Sequence, residues 1–178
     1  MSRYEIPSTK SEVPEEIRKL LTECYFAYLC TVDENNHPHI TPIFFVYDRN
    51  ANVMYFVSAS KSTKIRNIRL NKRVSLTVDI RDPVNPFNNV GVMTDGEASV
   101  EYELGAEESP SDAIFPESAL NAFEMFKRKY AILRQVEPSF SRSMNLIRRF
   151  SEVLVSVKPN KMVYWGGGGR FRRVEFHR

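Results

Sequence analysis

The stretch MYFVSASKSTKIRNIRLNKRVSLTV, residues 54–78, contains a strand, a helix and a second strand in direct succession. Residues 53–58 are rich in β-branched and aromatic side chains, which predicts the first strand. Ser62 is a suitable N-cap for a helix that runs to Leu70, with Ile65 and Ile68 facing inward. The second strand is predicted to be half buried because polar residues alternate with Val74, Leu76 and Val78.

Between Ser60 and Arg73 the chain is basic and has no acidic residue; the basic residues are Lys61, Lys64, Arg66, Arg69, Lys72 and Arg73. Because Ser60, Ser62 and Thr63 stand where the helix begins, hydroxyls, free backbone N–H groups and ammonium groups can converge on one anion. A phosphate monoester fits such a site. The alternative is that the basic residues form a solvated helix face. The position of the run, after a strand and at a helix N-terminus, favours the phosphate.

Upstream of this stretch, the pattern predicts one more helix and two more strands. Residues 14–24 form the helix, because its apolar residues fall on one face at Ile17, Leu20, Leu21 and Cys24. The strands cover residues 25–32 and 39–48. Turn residues at 33–36 and 48–52 separate them from each other and from residues 53–58. Two short connections in succession predict an antiparallel meander.

Downstream, strands alternate with a helical insertion. Residues 90–101 predict a strand in which Gly91 and Gly96 indicate bulges or a close backbone approach. Further strands are predicted at 152–157, 161–165 and 171–176. Residues 104–150 are interpreted as an insertion with a helix over 116–135, whose inward residues are Leu120, Phe123, Phe126, Tyr130 and Leu133. About eight strands with few helices predict a mainly β fold, an antiparallel barrel with peripheral helices.

Composition limits the classes of protein that need consideration. The chain has 178 residues, 42% of them apolar, which fits a single domain over 1–178. Its longest apolar runs have seven and five residues, far below the roughly 20 that a membrane helix needs. A net charge of +3 is too small to indicate nucleic-acid binding. The first residues contain no apolar signal segment, so we expect a cytoplasmic protein in which Cys24 and Cys30 are buried thiols.

Two further motifs have ordinary explanations. The run 166–169 is four glycines, but no helix of useful length can follow it, so a hairpin turn between Trp165 and Arg170 is favoured over a dinucleotide loop. His37 and His39 are too few for a metal site, which needs three or four ligands, and we interpret them as solvent-facing turn and strand residues. No metal ligand is predicted.

Three segments together resemble the pyridoxamine 5'-phosphate oxidase-like FMN-binding split barrels. The first is AYLCTVDENNHPHITPIFFVYD, residues 27–48, and the second is the opening stretch at 54–78. The third, after the insertion, is KMVYWGGGGRFRRVEF, residues 161–176. The resemblance implies an antiparallel split barrel that forms a homodimer and holds two FMN molecules at the subunit interface.

The resemblance also implies which residues bind FMN. The second strand of the family lies along the isoalloxazine ring, and its counterpart here is Thr41, Pro42, Ile43 and Phe44. Pro42 independently indicates a strand edge or bulge, because it cannot donate a ladder bond. The residues that correspond to the family's phosphate site are Val57, Ser58, Ser62, Thr63 and Lys64, with Lys61 adding charge.

Near the C-terminus, the family's oxidases have a tryptophan and two arginines that contact the flavin and substrate of the partner subunit. Trp165, Arg170 and Arg173 are similar in order and approximate spacing. The chain differs in having Arg172 and Arg173 where the oxidases place a His-Asp pair before the second arginine. Its loop is also one residue shorter. Pyridoxamine phosphate is therefore not predicted as the substrate.

The resemblance implies an FMN-dependent oxidoreductase that acts on an unidentified small organic substrate. Flavin chemistry needs mainly positioning from the protein, so no catalytic residue is assigned. Two alternatives on the same fold stay open at this point. One is a flavin or haem carrier or sensor without enzymatic activity, and the other is a reductase that uses the deazaflavin cofactor.

Overall fold

Seven strands and three α-helices make up the computed structural model, which describes residues 12–103, 116–130, 153–166 and 170–176. The helices are α1 (Glu15–Glu23), α2 (Thr63–Leu70) and α3 (Glu117–Lys129), and a short 3-10 helix covers Pro86–Asn88. The strands are β1 (Phe26–Val32), β2 (Pro38–Asp48), β3 (Val53–Ser58), β4 (Arg73–Ile80), β5 (Val90–Glu103), β6 (Val153–Gly166) and β7 (Arg170–Glu175). Within these residues, no helix is long and apolar enough to span a membrane.

All neighbouring strands are antiparallel, in the order β3-β2-β1-β4-β5-β6-β7. An additional pairing joins β3 to β6, and its register runs from Met54 opposite Val157 to Ser58 opposite Val153. This pairing closes β1 to β6 into a six-stranded barrel, and β7 adds to β6 as a hairpin. The predicted antiparallel barrel, the β1-β2-β3 meander and the hairpin between Trp165 and Arg170 are confirmed.

The barrel interior is filled by the inward side chains of the strands and by apolar side chains of two helices. Val74, Leu76 and Val78 are buried while their neighbours on β4 are not, as the alternating pattern predicted. Helices α1 and α2 add their apolar faces to the same core. Asn67 of α2 donates to Thr31 near the end of β1, whereas Glu15 of α1 pairs with Arg49, just beyond the other end of the barrel. The two helices therefore cover opposite ends of the barrel.

The strands predicted at 152–157 and 161–165 are one strand, β6, so the predicted break between them is wrong. Lys158 and Pro159 stay paired with β5, opposite Glu97 and Gly96, and the register shifts between Asp95 and Gly96. A Cβ on Gly96 would lie 2.4 Å from the Lys158 carbonyl oxygen, so the absence of a side chain permits this bulge. Bulges tolerate proline, which is why Pro159 does not end the strand.

Helix α3 packs on the outside of the barrel rather than in its interior. Phe123 and Phe126 are buried against β2, β3 and β6, as predicted, together with Ala119 and Ala122, while Leu120 is only half-buried. The predicted helix over 116–135 is too long at its C-terminal end. The helix ends before Tyr130, whose backbone angles are extended. The Tyr130 hydroxyl accepts from the Phe45 N–H of the barrel, and this contact holds the residue out of the helix. Leu133 lies outside the described residues, as does most of the remaining insertion.

The two cysteines are free, and each is half-buried rather than fully buried. Cys24 follows α1, and burial raises the pKa of its thiol. Cys30 lies on the outer face of β1 and is half-buried, whereas Phe26 and Tyr28 on the same face are exposed. The predicted thiol state is confirmed in these residues, but the predicted full burial is wrong.

Candidate functional site

The end of β3 and the start of α2 form a polar corner, which we call the α2 corner and define by Ser58, Ser62, Thr63 and Lys64. Ser58 is the last residue of β3 and is buried. Its Oγ lies 3.0 Å from Ser62 Oγ, and Lys64 Nζ donates to the same Ser58 oxygen at 3.2 Å. The α2 corner therefore brings two hydroxyls and one ammonium group together at the first turn of a helix.

The N-terminus of α2 has no side-chain cap. Ser62 occupies the predicted N-cap position, but its hydroxyl pairs with Ser58 and accepts nothing from the helix. The first turn contains no acidic residue. Because the first N–H groups of a helix have no partner within it, this terminus presents free donors and the positive end of the helix dipole to an incoming anion.

The basic run divides into one half-buried residue and five exposed ones. Lys64 is half-buried, makes no ion pair within the described residues, and has its pKa lowered by burial. Arg69 pairs with Glu103 and also donates to the Ser60 carbonyl at 3.4 Å. The exposed residues are Lys61, Arg66, Arg69, Lys72 and Arg73. The interpretation as a solvated helix face therefore holds for Arg66 and Arg69, whereas Lys61, Lys72 and Arg73 are exposed outside the helix. Lys64 is the basic residue of the run that belongs to the α2 corner.

Strand β2 extends past the end of β3, next to the α2 corner. It pairs with β1 over residues 38–44 but with β3 only over residues 45–48. Continuing the register of Phe45 opposite Phe56 by two residues brings Ile43 across from Ser58. Pro42 pairs with Tyr28 on one side and with no β3 residue on the other, so the proline interrupts no ladder bond there. The structure thus places Thr41, Pro42 and Ile43 along an open strand edge near the corner.

Apolar side chains project from the outer face of β1 and β2, and we call this surface the outer β1–β2 face. Its members are Phe26, Tyr28, Ile40, Pro42 and Phe44, which are exposed and alternate with buried or half-buried residues. Phe26 pairs with Phe44 across the strands, and their rings are 4.7 Å apart. Exposed apolar patches of this kind are typical of interaction surfaces.

The outer β1–β2 face was not predicted, although the sequence contains a signal for it. Both faces of β1 carry apolar side chains: Phe26 and Tyr28 lie on the outer face, and Ala27 and Leu29 lie on the inner face. A strand that is apolar on both faces needs a covering layer on each.

The C-terminal candidates lie far from the α2 corner within one chain. Val153, at the start of β6, pairs with Ser58, whereas Trp165 is twelve residues farther along the same strand. At 3.3 Å per residue, roughly 40 Å of strand separates the two positions. Trp165 is half-buried between Gly91 and Phe171, and exposed Arg173 pairs with Glu175. Arg170 pairs through its backbone with Gly166. One chain alone therefore does not combine these residues with the corner.

Comparisons with known proteins agree with this architecture. A family model described as pyridoxamine 5'-phosphate oxidase matches residues 13–133. No curated protein sequence matches the chain.

Solved structures with the same fold are named for different cofactors. A heme binding protein from Mycobacterium smegmatis is 13% identical to this chain, with a TM-score of 0.65. The match covers 92% of this chain and 59% of the heme binding protein, so this chain spans about three fifths of that protein. An F420 reductase is 24% identical with a TM-score of 0.53, and the match covers 84% of this chain and 98% of the reductase. A FAD-binding protein from Mesorhizobium loti is 19% identical with a TM-score of 0.53, and the match covers 83% of this chain and 87% of that protein. At these identities the similarity establishes the fold alone.

Proposed function

The chain belongs to the pyridoxamine 5'-phosphate oxidase family, and from this membership we propose that it is an FMN-dependent oxidoreductase acting on a small organic substrate. Proteins of this fold are described as binding flavins, F420 or haem. The observation that carries the choice of FMN is the α2 corner, where Lys64 and two serine hydroxyls surround one point at a helix N-terminus. We place the protein in the cytoplasm, which suits its free thiols Cys24 and Cys30.

The α2 corner suits a phosphate monoester in charge and in hydrogen bonding. A half-buried ammonium without an ion-pair partner is costly, and a phosphate dianion next to Lys64 removes that cost. The hydroxyls of Ser58, Ser62 and Thr63 and the N–H groups of α2 supply donors for the remaining phosphate oxygens. Val57 precedes Ser58 on β3, and its side chain packs against the apolar cluster that includes α3, so only its backbone is proposed to border the phosphate.

The isoalloxazine ring is proposed to lie along Thr41, Pro42, Ile43 and Phe44. This strand segment is adjacent to the α2 corner and has an open edge on the β3 side. Flavin, when bound, supplies the hydride-accepting chemistry. The residues of this chain hold the phosphate, orient the ring against β2 and exclude water from one face. No acid–base residue is assigned.

We propose that a homodimer completes the site. The outer β1–β2 face supplies an apolar surface beside the proposed ring position, and burial of such a surface drives association. Dimerisation through this face allows Trp165, Arg170 and Arg173 of the partner subunit to approach the flavin, since one chain holds them far from its own corner. Lys61 is exposed and adds long-range positive charge only.

FMN binding tests the proposal directly. Lys64→Ala should weaken FMN binding by about 1 to 3 kcal/mol, because a charge-assisted hydrogen bond is lost, so the Kd rises roughly 5- to 150-fold. Flavin fluorescence measures the affinity. Arg66→Ala is the matched control, since Arg66 is an exposed basic residue of the same helix. Riboflavin, which lacks the phosphate, should bind the Lys64→Ala and unaltered proteins equally.

Absorption spectra separate the proposal from its alternatives. The purified protein loaded with FMN should lose its flavin absorption when a reduced nicotinamide is added, and its native mass should be that of a dimer. A flavin band that resists every reductant would indicate a carrier or sensor. A Soret band would indicate haem, and tight binding of the deazaflavin cofactor but not FMN would indicate a deazaflavin reductase. Unchanged FMN affinity in Lys64→Ala would place the phosphate elsewhere.

A further inference from the structure

A pocket of about 560 Å³ lies at the end of the barrel opposite the α2 corner. It is bounded by the last residues of α1, by Tyr25 before β1, by Val46 and Tyr47 of β2, and by Met125 and Lys129 of α3. Strand β1 runs from this end, at Phe26, to the end where Thr31 contacts α2. The volume is in the range of small-molecule sites, and the pocket shares no residue with the α2 corner.

Lys129 places a cation in this pocket. Its Nζ lies 4.1 Å from the centre of the Phe45 ring, and its hydrogen bond to the Leu21 carbonyl is long, at 3.4 Å. Lys129 makes no ion pair within the described residues. Burial lowers its pKa to about 8, and the nearby Cys24 thiol opposes that shift only in part. The carboxylate of Glu23, which also borders the pocket, is directed to Lys19 at 4.0 Å.

A partly desolvated ammonium group gains most from an anion that reaches it in the same low-dielectric surroundings. The walls beside it are aromatic and aliphatic, at Tyr25, Val46 and Met125. They suit a planar apolar body. Arg128 at the border adds positive charge, whereas Glu23 at the same border disfavours a second negative charge on the ligand.

We propose that this pocket binds a small aromatic monocarboxylate, whose carboxylate pairs with Lys129 and whose ring packs between α3 and β2. The site is separate from the proposed flavin site and does not depend on it. It gives the protein a second ligand, of a different chemical class from the cofactor.

Titration calorimetry with 2-naphthoate tests the assignment on the full chain, with and without FMN. One site per chain is expected in both states. Lys129→Met, which keeps the length of the side chain but removes its charge, should raise the Kd about 10- to 100-fold. Lys127→Met is the matched control on the same helix, because Lys127 pairs with Glu124 and does not line the pocket. The uncharged 2-naphthamide should bind at least 10-fold more weakly than 2-naphthoate.

A second measurement keeps the test independent of the folding of the variants. An NMR titration of the Lys129 side chain should show its pKa rising when 2-naphthoate binds, because the carboxylate stabilises the ammonium form. Absence of saturable binding, equal affinity in Lys129→Met, an unchanged pKa or competition with FMN would each overturn the assignment. Failure of FMN to bind would leave these readouts intact and would count only against the flavin proposal.

Discussion

The Tyr130 hydroxyl joins the end of α3 to the barrel, and Tyr130→Phe removes this link while keeping the ring. The hydroxyl lies 2.6 Å from the Tyr25 carbonyl and 2.9 Å from the Phe45 carbonyl, and it accepts from the Phe45 N–H at 3.0 Å. One hydroxyl proton serves one carbonyl at a time. The substitution therefore costs one donated and one accepted bond.

The expected loss follows from these two bonds. The bond to the exposed Tyr25 carbonyl contributes about 1 kcal/mol, because water replaces it when the hydroxyl is removed. The Phe45 N–H is part-buried, and leaving it without an acceptor costs about 1 to 3 kcal/mol. The free energy of unfolding should therefore fall by about 2 to 4 kcal/mol. For a chain of this size the Tm should fall by roughly 5 to 15 °C.

Urea denaturation of the FMN-free protein measures the change, since bound ligand would add its own stabilisation. With a slope of about 2 kcal/mol per molar, the midpoint should fall by roughly 1 to 2 M. Tyr55→Phe is the matched control. Tyr55 is buried against the same helix, and its hydroxyl makes no hydrogen bond within the described residues. If Tyr130→Phe changes the midpoint no more than Tyr55→Phe, the assignment of α3's attachment to this hydroxyl is wrong.

Three further outcomes are expected from other positions. Gly96→Ala should cost about 1 to 3 kcal/mol in urea denaturation, because the added Cβ would lie 2.4 Å from the backbone carbonyl of Lys158; an unaltered midpoint would contradict the tight bulge. Gly91→Ala should instead displace a side chain, because its Cβ would lie 2.3 Å from the ring of Trp165, the single tryptophan of the chain. Its fluorescence emission should shift by several nanometres, and an identical spectrum would show that the ring does not lie there. Lys129→Met should stabilise the protein at pH 7 by about 1 to 3 kcal/mol, a value reduced from the full pKa shift because the group is partly solvated. Since the folded-state pKa of Lys129 is about 8 and the ordinary value is 10.5, Lys129 binds more protons in the unfolded chain between these values, and its contribution to stability rises with pH there. The stability gained in Lys129→Met over the unaltered protein should therefore shrink across this range.

Local patterns predicted most elements and the α2 corner. Residues 53–58 and the alternation at Val74, Leu76 and Val78 were correctly identified as strands, because burial on a strand has a period of two residues. The helix after Ser62 was also correct, since its signals lie within one turn of chain. The same local signals could not show that the Ser62 hydroxyl would pair with Ser58 rather than cap the helix.

Features that depend on distant partners were decided only by the tertiary structure. Pro159 belongs to a local pattern typical of a turn, and it stays within β6 because Gly96 of another strand accommodates the bulge. Tyr130 continues the apolar pattern of α3, yet it leaves the helix because its hydroxyl finds Phe45, 85 residues away in the chain. Contacts between distant segments also close the barrel between β3 and β6 and place the Lys129 ammonium over the Phe45 ring. Periodicity shows which side of an element is apolar, whereas the partner of each side is settled by contacts between segments far apart in sequence.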